Sequence, residues 1–366
     1  MRVPQLCGIT EMTPNTSFPR LKVFVIGLGQ MGKSHALAYH KNPAFEIVAM
    51  CNRGPVDLPP ELRDYPMVAD FAAGLACKPD VVSICTYTDS HAELAIAAME
   101  AGAHVFVEKP LALTTESAQA VVDAARRASR KLVIGYILRH HPSWTALIRA
   151  ARELGGPYVM RMNLNQPSVG DAWEIHKRLL RTTPPIVDCG VHYVDIMCQI
   201  TDSRPIQVRG MGVRLASDIA PDQVNYGHLQ ILFEDGSVGW YEAGWGPMMS
   251  QTACFVKDVI GTRGAVSLVL GDDANPADIE SHTKTGQLRL HAVEQTKNGS
   301  TGYTEAWIPI ADNVDHQELC DREQAFLAKA IQSDIDLTKH HEDALRSLNI
   351  VLAAERSMRE KQAIDI

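Results

Sequence analysis

The sequence predicts an α/β protein with two domains, a doubly wound parallel sheet followed by an α+β domain with an open, largely antiparallel sheet. Short apolar runs alternate with helical segments as far as about residue 140, as in parallel strands joined by crossover helices. From about residue 157 the strands lengthen and hairpin signals join them. A chain of 366 residues is also longer than a typical domain with a single hydrophobic core.

The alternating segment begins at Leu21. Its predicted strands, in chain order, are KVFVI, FEIVAMC, DVVSICTY, HVFVEKP and KLVIGYILRHH. The predicted helices between them are KSHALAYH, MVADFAAGLAC, HAELAIAAMEAG and TTESAQAVVDAARRASR, the last with Thr114 and Ser117 as candidate N-caps. The strands are almost wholly apolar, which is typical of a parallel sheet that helices cover on both faces.

The second segment contains two hairpin patterns and a C-terminal helix. YGHLQILFEDGSVGWYEAGW has two β runs around Asp235-Gly236, and FVKDVIGTRGAVSLVLG resembles another such pair. HEDALRSLNIVLAAERSMRE has apolar residues at helical spacing. We therefore predict a leader at 1–20, a dinucleotide-binding domain at 21–140 and a substrate and oligomerisation domain at 141–366, with a helix at about 340–360 that packs back on the first domain.

Composition argues against several functional classes. A net charge of −8, from 35 basic and 43 acidic residues, gives no basic face for nucleic acid. No apolar run approaches a membrane span, and the predicted leader lacks the apolar core of a signal peptide. The 8 cysteines form no CxxC pair, which favours reduced thiols over a structural zinc site. These features predict a cytoplasmic protein.

GLGQMG, directly after the first predicted strand, predicts a dinucleotide-binding turn. Gly27, Gly29 and Gly32 fit the GxGxxG fingerprint. In that fingerprint the first glycine permits a tight turn, the second the approach of a pyrophosphate, and the third the packing of helix on strand. Gln30 and Met31 complete the loop, and the N-terminus of the next helix stabilises phosphates. The predicted cofactor is NAD or NADP.

The end of the second strand favours NADP over NAD. An acid that binds the adenosine ribose of NAD is usual at this point, but the chain has Asn52 and Arg53. Asparagine does not repel a 2′-phosphate, and arginine can pair with it. The alternative is an Arg53 that is solvated or stacked on adenine, with NAD as cofactor.

Two further motifs carry candidate chemistry. EKP closes the fourth predicted strand, so Glu108 and Lys109 are expected at the carboxyl edge of the sheet, where ligands bind in open α/β folds. In IVDCGVHYVDIM the first three residues suit a strand or a tight entry, and Asp188, His192 and Asp195 then share one helix face. A buried acid and imidazole are costly unless something uses them.

The combination of GLGQMG, EKP and DCGVHYVD resembles the Gfo/Idh/MocA family of dehydrogenases and reductases, from about Leu21 to the C-terminal helix. The resemblance implies a Rossmann domain followed by an α/β domain with an open sheet. It also implies that Lys109 binds the reacting hydroxyl and that His192 exchanges its proton. Asp188 would hold the substrate or orient the imidazole, and Asp195 would be mainly structural.

The resemblance also implies, from less specific motif matches, that several residues line the cofactor site. Thr86 and His91, in ICTYTDSH, resemble family positions that line the nicotinamide pocket, and Glu108 and Lys109 adjoin the same pocket. The family often has Pro-Asn where this chain has Tyr87 and Thr88, so the loop differs in sequence.

Further candidate substrate-binding residues, with less specific sequence support, lie near the second motif. Arg139, in YILRHHP, resembles an arginine beside the family's active cleft, with a salt bridge as the alternative. Trp173 and Lys177 lie with His176 in DAWEIHKR, which we expect to be a loop over the substrate, although Trp173 is alternatively a core residue. No third ligand accompanies an acid and a histidine of the motif, so no metal is predicted.

The predicted function is the NAD(P)-dependent interconversion of a ring hydroxyl and a ketone of a sugar, cyclitol or glycoside. The alternatives are redox-assisted glycoside cleavage or a diol dehydrogenase on the same fold, and a non-catalytic dinucleotide-binding regulator. The intact Lys109, Asp188 and His192 argue against the regulator. Apolar residues on both faces of the second sheet, as in LQILF, predict a homodimer or homotetramer.

Overall fold

The computed structural model describes residues 19–250, 255–270, 285–295, 301–310 and 314–366. Nearly all of the predicted leader lies outside these ranges, as do Cys7 and Cys254. The cysteines within the ranges carry free thiols.

The first sheet confirms the predicted doubly wound arrangement. Its strands are β1 (Leu21–Ile26), β2 (Phe45–Cys51), β3 (Val81–Ile84), β4 (His104–Val107) and β5 (Leu132–Ile134). The intervening helices are α1 (Gln30–Lys41), α2 (Phe71–Ala76), α3 (His91–Glu100) and α4 (Thr115–Ala128). The sheet order is β2-β1-β3-β4-β5, and each neighbouring pair is parallel. The strand interiors are buried because helices cover both faces.

The second sheet is largely antiparallel, as predicted. Its strands are β6 (Val159–Gln166), β7 (Pro205–Val213), β8 (Tyr226–Phe233), β9 (Val238–Trp245), β10 (Lys257–Gly261), β11 (Gly264–Leu270), β12 (Thr285–Gln295), β13 (Thr301–Pro309) and β14 (Ile364–Asp365). Their order is β13-β12-β11-β10-β6-β9-β8-β7-β14, and only β6 and β9 pair in parallel. Both predicted hairpins are confirmed, as β8–β9 and β10–β11. Gly236 in the first turn has φ +83°, which favours glycine.

The remaining helices pack on this sheet and on the first. They are α5 (Pro142–Leu154), α6 (Asp171–Leu179), α7 (Pro185–Asp188), α8 (Gly190–Thr201), α9 (His316–Gln332) and α10 (Thr338–Glu360). α9 packs on α1, whereas α10 packs on β7 and α8 and also contacts α4 and β5. The C-terminal helices therefore contact both halves of the chain. Within the described ranges, no helix combines the length and the apolar character needed to cross a membrane.

Three local predictions were wrong. The strand predicted in KLVIGYILRHH ends at Ile134, because its one neighbour β4 ends opposite it at Val107. DAWEIHKR is the helix α6 rather than a loop, since Trp173 and His176 bury one helical face. IVD is helical rather than extended, because Pro185 begins α7 with its fixed backbone angle.

The strand order brings the candidate motifs to one edge. The direction of winding reverses between β1 and β3, and ligands of open α/β sheets bind in the crevice at such a point. GLGQMG follows β1, ICTYTDSH contains the end of β3, and EKP follows β4. These loops therefore lie together at the carboxyl edge of the first sheet.

Candidate active site

The glycine loop between β1 and α1 is too tight for a side chain at two positions. Gly27 has φ +85°, and a Cβ there would lie 2.5 Å from the Cys85 carbonyl oxygen. A Cβ at Gly32 would lie 1.7 Å from the Gly27 carbonyl oxygen. α1 and β1 therefore approach as closely as the fingerprint predicts.

Gly29, by contrast, faces open space. Apart from Gly29 itself and its two neighbours in the chain, no described residue has an atom within 4 Å of a Cβ built at Gly29. In the same part of the structure, the N-terminus of α1 has neither a side-chain cap nor an acidic residue in its first turn. Gln30 is exposed, and Met31 is partly buried against the core. This space and the helix end suit the pyrophosphate of a dinucleotide.

The two residues after β2 differ in their contacts. The Asn52 side chain accepts a hydrogen bond from the Leu28 backbone N at 2.9 Å and donates to the Gly54 carbonyl oxygen at 2.9 Å. It therefore holds the glycine loop against the end of β2. Arg53 is exposed and forms no ion pair with another described residue, so its guanidinium is available to a ligand.

Lys109 and Asp188 form an ion pair across 79 residues of sequence. Lys109 Nζ lies 3.2 Å from Asp188 Oδ2 and 3.1 Å from the Asp188 carbonyl oxygen. The side chains are 18% and 13% exposed, so a small ligand can reach both. Burial lowers the pKa of Lys109, but Asp188, Cys189 and Glu108 together outweigh burial and leave that pKa raised. The pair therefore presents a charged ammonium group.

Glu108 anchors the turn that carries this lysine. Its Oε1 lies 2.6 Å from His35 Nε2, and its Oε2 accepts a hydrogen bond from the Lys109 backbone N at 3.2 Å. Gln324 Nε2 lies 2.9 Å from His35 Nδ1. Burial raises the pKa of Glu108, but the His35 hydrogen bond and charge outweigh it, so the net shift is downward. An ionised carboxylate thus holds the start of the EKP turn.

His192 follows Asp188 by one helical turn. Cys189, between α7 and α8, has φ −84° and ψ −34°, so the helical conformation continues through the junction. The His192 side chain is buried, and its ring meets the Tyr136 ring edge-on at 6.0 Å. Tyr136 is fixed by a 2.8 Å hydrogen bond between its hydroxyl and Ser347 Oγ.

The third residue of the predicted face, Asp195, is paired with Arg139. The guanidinium binds both carboxylate oxygens, with Nε 2.8 Å from Oδ2 and Nη2 donating to Oδ1. Arg139 also lies 3.5 Å from Asp343 and 3.2 Å from His340. These contacts are the salt bridge that the sequence left as an alternative for Arg139. They suit a structural role for Asp195, which is 1% exposed.

His91 connects two loops at the edge of the first sheet. Its ring nitrogens lie 2.8 Å from the Pro110 carbonyl oxygen and 3.0 Å from the Thr86 carbonyl oxygen. Thr86 Oγ1 accepts a hydrogen bond from Ser90 Oγ at 2.7 Å. Because His91 is buried, it is suited to position these loops, including the turn that contains Lys109.

Trp173 and Lys177 point to a different acid. Trp173 Nε1 donates to Asp218 Oδ2 at 3.0 Å, and Lys177 Nζ donates to the same oxygen at 3.1 Å. Lys177 also lies 2.7 Å from Glu174. The structure therefore brings these two predicted substrate residues to Asp218 and not to the ion pair of Asp188.

Between them in α6 lies His176, which the sequence placed in the same segment but gave no role of its own. Its ring stacks on Trp245 at 4.4 Å and 9°, and its Nδ1 lies 2.9 Å from Ser168 Oγ. Burial lowers the pKa of His176 to about 4, against an opposing effect of Asp188. The signal was a histidine three residues after a tryptophan, but this spacing is equally typical of a core face.

One group of side chains within the described ranges has metal-ligand spacing, namely His35, Cys320 and Glu323. It includes neither Asp188 nor His192. Both ring nitrogens of His35 already have hydrogen-bond partners, so this group gives no support for a metal site.

The glycine cradle at the switch point of a parallel sheet, together with helices α7 and α8 that carry the acid and the imidazole, defines a two-part dinucleotide-binding protein. A family model described as "Oxidoreductase family, NAD-binding Rossmann fold" matches residues 21–136, and a model of the GFO/IDH/MocA C-terminal domain matches residues 146–267. The chain belongs to the Gfo/Idh/MocA family, and it is an enzyme of the dehydrogenase and reductase type.

One known relative matches nearly the whole chain, and another matches about half of it. An inositol 2-dehydrogenase of Rhizobium meliloti (strain 1021) is 26% identical over 365 residues, which cover 93% of this chain and 98% of that protein. A UDP-N-acetylglucosamine 3-dehydrogenase of Acidithiobacillus ferrooxidans is 31% identical over 55% of this chain and 60% of that protein. The solved structure of GenD2 from gentamicin A biosynthesis, in complex with NAD, has a TM-score of 0.74 at 20% identity, over 100% of this chain and 99% of that one.

Proposed function

We propose that the enzyme interconverts a ring hydroxyl and a ketone of a sugar, cyclitol or glycoside with NAD or NADP. The observation that carries the proposal is the 3.2 Å contact between Lys109 Nζ and Asp188 Oδ2, one helical turn before His192. This contact joins the carboxyl edge of the first sheet to the helix on the second. The names of the relatives, an inositol 2-dehydrogenase and a sugar-nucleotide dehydrogenase, support a polyhydroxylated substrate.

Each residue has a distinct part in the proposed reaction. A bound nicotinamide supplies the acceptor or donor of the hydride. His192 takes the hydroxyl proton as the hydride leaves the same carbon, and it returns the proton in reduction, because imidazole exchanges protons near neutral pH. Lys109 donates a hydrogen bond to the reacting oxygen and stabilises the developing alkoxide. Asp188 holds the lysine in place and provides an acceptor for the substrate.

Within this proposal we favour NADP as the cofactor. Asn52 brings no negative charge to the end of β2, and the exposed Arg53 lies next to it. A guanidinium pairs readily with a phosphate dianion, whereas an acid at this point would repel one. NAD remains the alternative cofactor, because Arg53 can also stack on the adenine ring.

We also propose that the enzyme works as a homodimer or homotetramer, through the outer face of the second sheet. Ile260 pairs with Val159, Val159 with Val238, and Val238 with Leu232 across four neighbouring strands. Residues directly opposite in a sheet share one face. All four side chains are exposed in the single chain, so they form an apolar row that a second copy can cover.

The test of the catalytic proposal is turnover with each nicotinamide cofactor on a panel of inositols, sugars and methyl glycosides. His192→Ala should lower kcat by about two to four orders of magnitude, the usual share of general acid–base catalysis. Lys109→Ala should also lower kcat, and the double variant should lose less than the sum because both residues act on one hydroxyl. Cofactor affinity of His192→Ala should stay near that of the wild type.

His40→Ala is the matched control, since His40 is exposed in the last turn of α1. If His192→Ala is folded and keeps near-native turnover, the histidine is structural and the proposed mechanism fails. If the wild type cleaves a glycoside without net change in nicotinamide absorbance, the alternative of redox-assisted cleavage replaces ring oxidation.

A further inference from the structure

We propose that His176 is a second substrate-contacting histidine of this site, and that its Nε2 hydrogen-bonds another hydroxyl of the ring whose reacting hydroxyl meets Lys109 and His192. The inference rests on the proposed function and deepens it, since it requires a substrate with at least two ring hydroxyls. It also assigns the recognition of the second hydroxyl to α6 rather than to either motif.

A series of contacts links His176 to the ion pair. Its ring stacks on Trp245 at 4.4 Å between centroids and 9° between planes. α7, which ends at Asp188, packs on β9, which ends at Trp245, and Cys189 Sγ lies 3.8 Å from Asp188 Oδ2. The charge of Asp188 also raises the pKa of His176, against the larger effect of burial. The imidazole of His176 and the helix that ends at Asp188 therefore both pack against β9, which ends at Trp245.

The ring is held in one orientation. Ser168 Oγ lies 2.9 Å from His176 Nδ1, and the Ser168 backbone N donates to the Gln166 carbonyl oxygen at 2.8 Å. The Gln166 side chain in turn accepts a hydrogen bond from Trp245 Nε1 at 2.8 Å. A hydrogen bond to one imidazole nitrogen fixes the tautomer and aims the other nitrogen. The stack and the serine together preorganise the ring.

The second ring nitrogen of His176, Nε2, is available to a ligand. Nε2 of His176 finds no hydrogen-bond partner among the residues that the structure describes, although the side chain is only 2% exposed. Nε2 is not one of the fully buried side-chain atoms that lack a partner, so it keeps some accessible surface through which a ligand hydroxyl can pair with it. Burial lowers the pKa of His176 to about 4, so the ring is neutral at pH 7 and leaves the reacting proton to His192.

The test compares ring polyols with their monodeoxy analogues. Wild type and His176→Phe are assayed on myo-inositol, methyl glucosides and their monodeoxy derivatives, with both cofactors. Phenylalanine keeps a flat ring against Trp245 but removes both nitrogens. The wild type should prefer the parent compound over one deoxy analogue by roughly ten- to a hundred-fold in kcat/KM. In His176→Phe that ratio should fall to about one, because only the parent loses a contact.

Two further variants separate recognition from packing. His176→Gln retains an amide near the position of Nε2 and should recover part of the ratio. Lys177→Ala, on the neighbouring position that pairs with Asp218, should keep the wild-type ratio. The pH profile of kcat should be the same in His176→Phe as in the wild type, since His192 is untouched.

The outcomes distinguish the two proposals. If the wild type turns over the panel but His176→Phe keeps its ratio, or loses parent and deoxy compounds equally, His176 is a packing residue and this inference fails alone. If the wild type turns over no member of the panel, the proposed function fails and the inference fails with it. NADH affinity and the melting temperature of each variant identify any loss of fold.

Discussion

The glycine loop permits a sharp prediction, because Gly29 and Gly32, three positions apart, have opposite surroundings. Beyond its two neighbours in the chain, a methyl group at Gly29 would meet no described residue within 4 Å, and the φ of Gly29 is an ordinary −68°. A methyl group at Gly32 would lie 1.7 Å from the Gly27 carbonyl oxygen. Gly29→Ala should therefore damage cofactor binding and spare the fold, whereas Gly32→Ala should damage the fold itself.

The magnitudes follow from these two environments. At Gly29, alanine stabilises the protein by lowering the conformational entropy of the unfolded chain, and it destabilises the protein because alanine is a poorer N-cap than glycine. Each effect is up to about 1 kcal/mol, so the free energy of unfolding should change by less than that. A methyl group in the path of the pyrophosphate should cost binding about 1–3 kcal/mol, as overpacking does, or roughly five- to 150-fold in NADH affinity.

Gly32→Ala gains about 1 kcal/mol of helix propensity. However, its new Cβ must move more than 1 Å from a backbone oxygen to reach an allowed contact, since Cβ atoms essentially never lie within 3.0 Å of a non-bonded heavy atom. Overpacking against backbone should cost about 3 kcal/mol or more, which leaves a net loss of roughly 2 kcal/mol.

The assay pairs urea unfolding of the apo protein, followed by far-ultraviolet circular dichroism, with titration of NADH by fluorescence. The reasoning is refuted if Gly29→Ala binds NADH as tightly as the wild type. It is equally refuted if Gly29→Ala and Gly32→Ala lose the same stability, since the open space beside Gly29 would then not exist.

Three other results are expected. Arg53→Ala should weaken NADP binding by about ten- to a hundred-fold, the value of a charge-assisted contact of about 1.5–3 kcal/mol, and NAD binding much less; equal small losses in both titrations would make Arg53 a bystander. Asp195→Ala should lower the free energy of unfolding by about 3–5 kcal/mol because Arg139 is left buried without its main partner, and a loss below 1 kcal/mol in urea would contradict this. Sedimentation at micromolar concentration should show a dimer or tetramer, and a wholly monomeric protein would rule out the apolar row as an interface.

The sequence alone predicted the parts of the fold that neighbouring residues encode. The parallel sheet follows from apolar runs of strand length between helices, and the β8–β9 hairpin follows from Asp235-Gly236 between two β runs. GLGQMG predicted a turn in which two positions exclude any side chain, and the structure confirms it at Gly27 and Gly32. The division at residue 140 stays a prediction, and so do the catalytic roles of the motif residues.

Tertiary structure decided which side chains face one another. Arg139 and Asp195 lie 56 residues apart, and Glu108 and His35 lie 73 apart, so no local pattern could pair them. The side-chain contacts of the segment DAWEIHKR likewise depended on tertiary packing. At helical spacing its residues divide between two faces, and only the position of Trp245 and Asp218 determines that His176 turns towards the first and Lys177 towards the second. Periodicity along a chain fixes which residues share a face, but the partner of that face comes from distant segments, whose contacts exist only once the chain has folded.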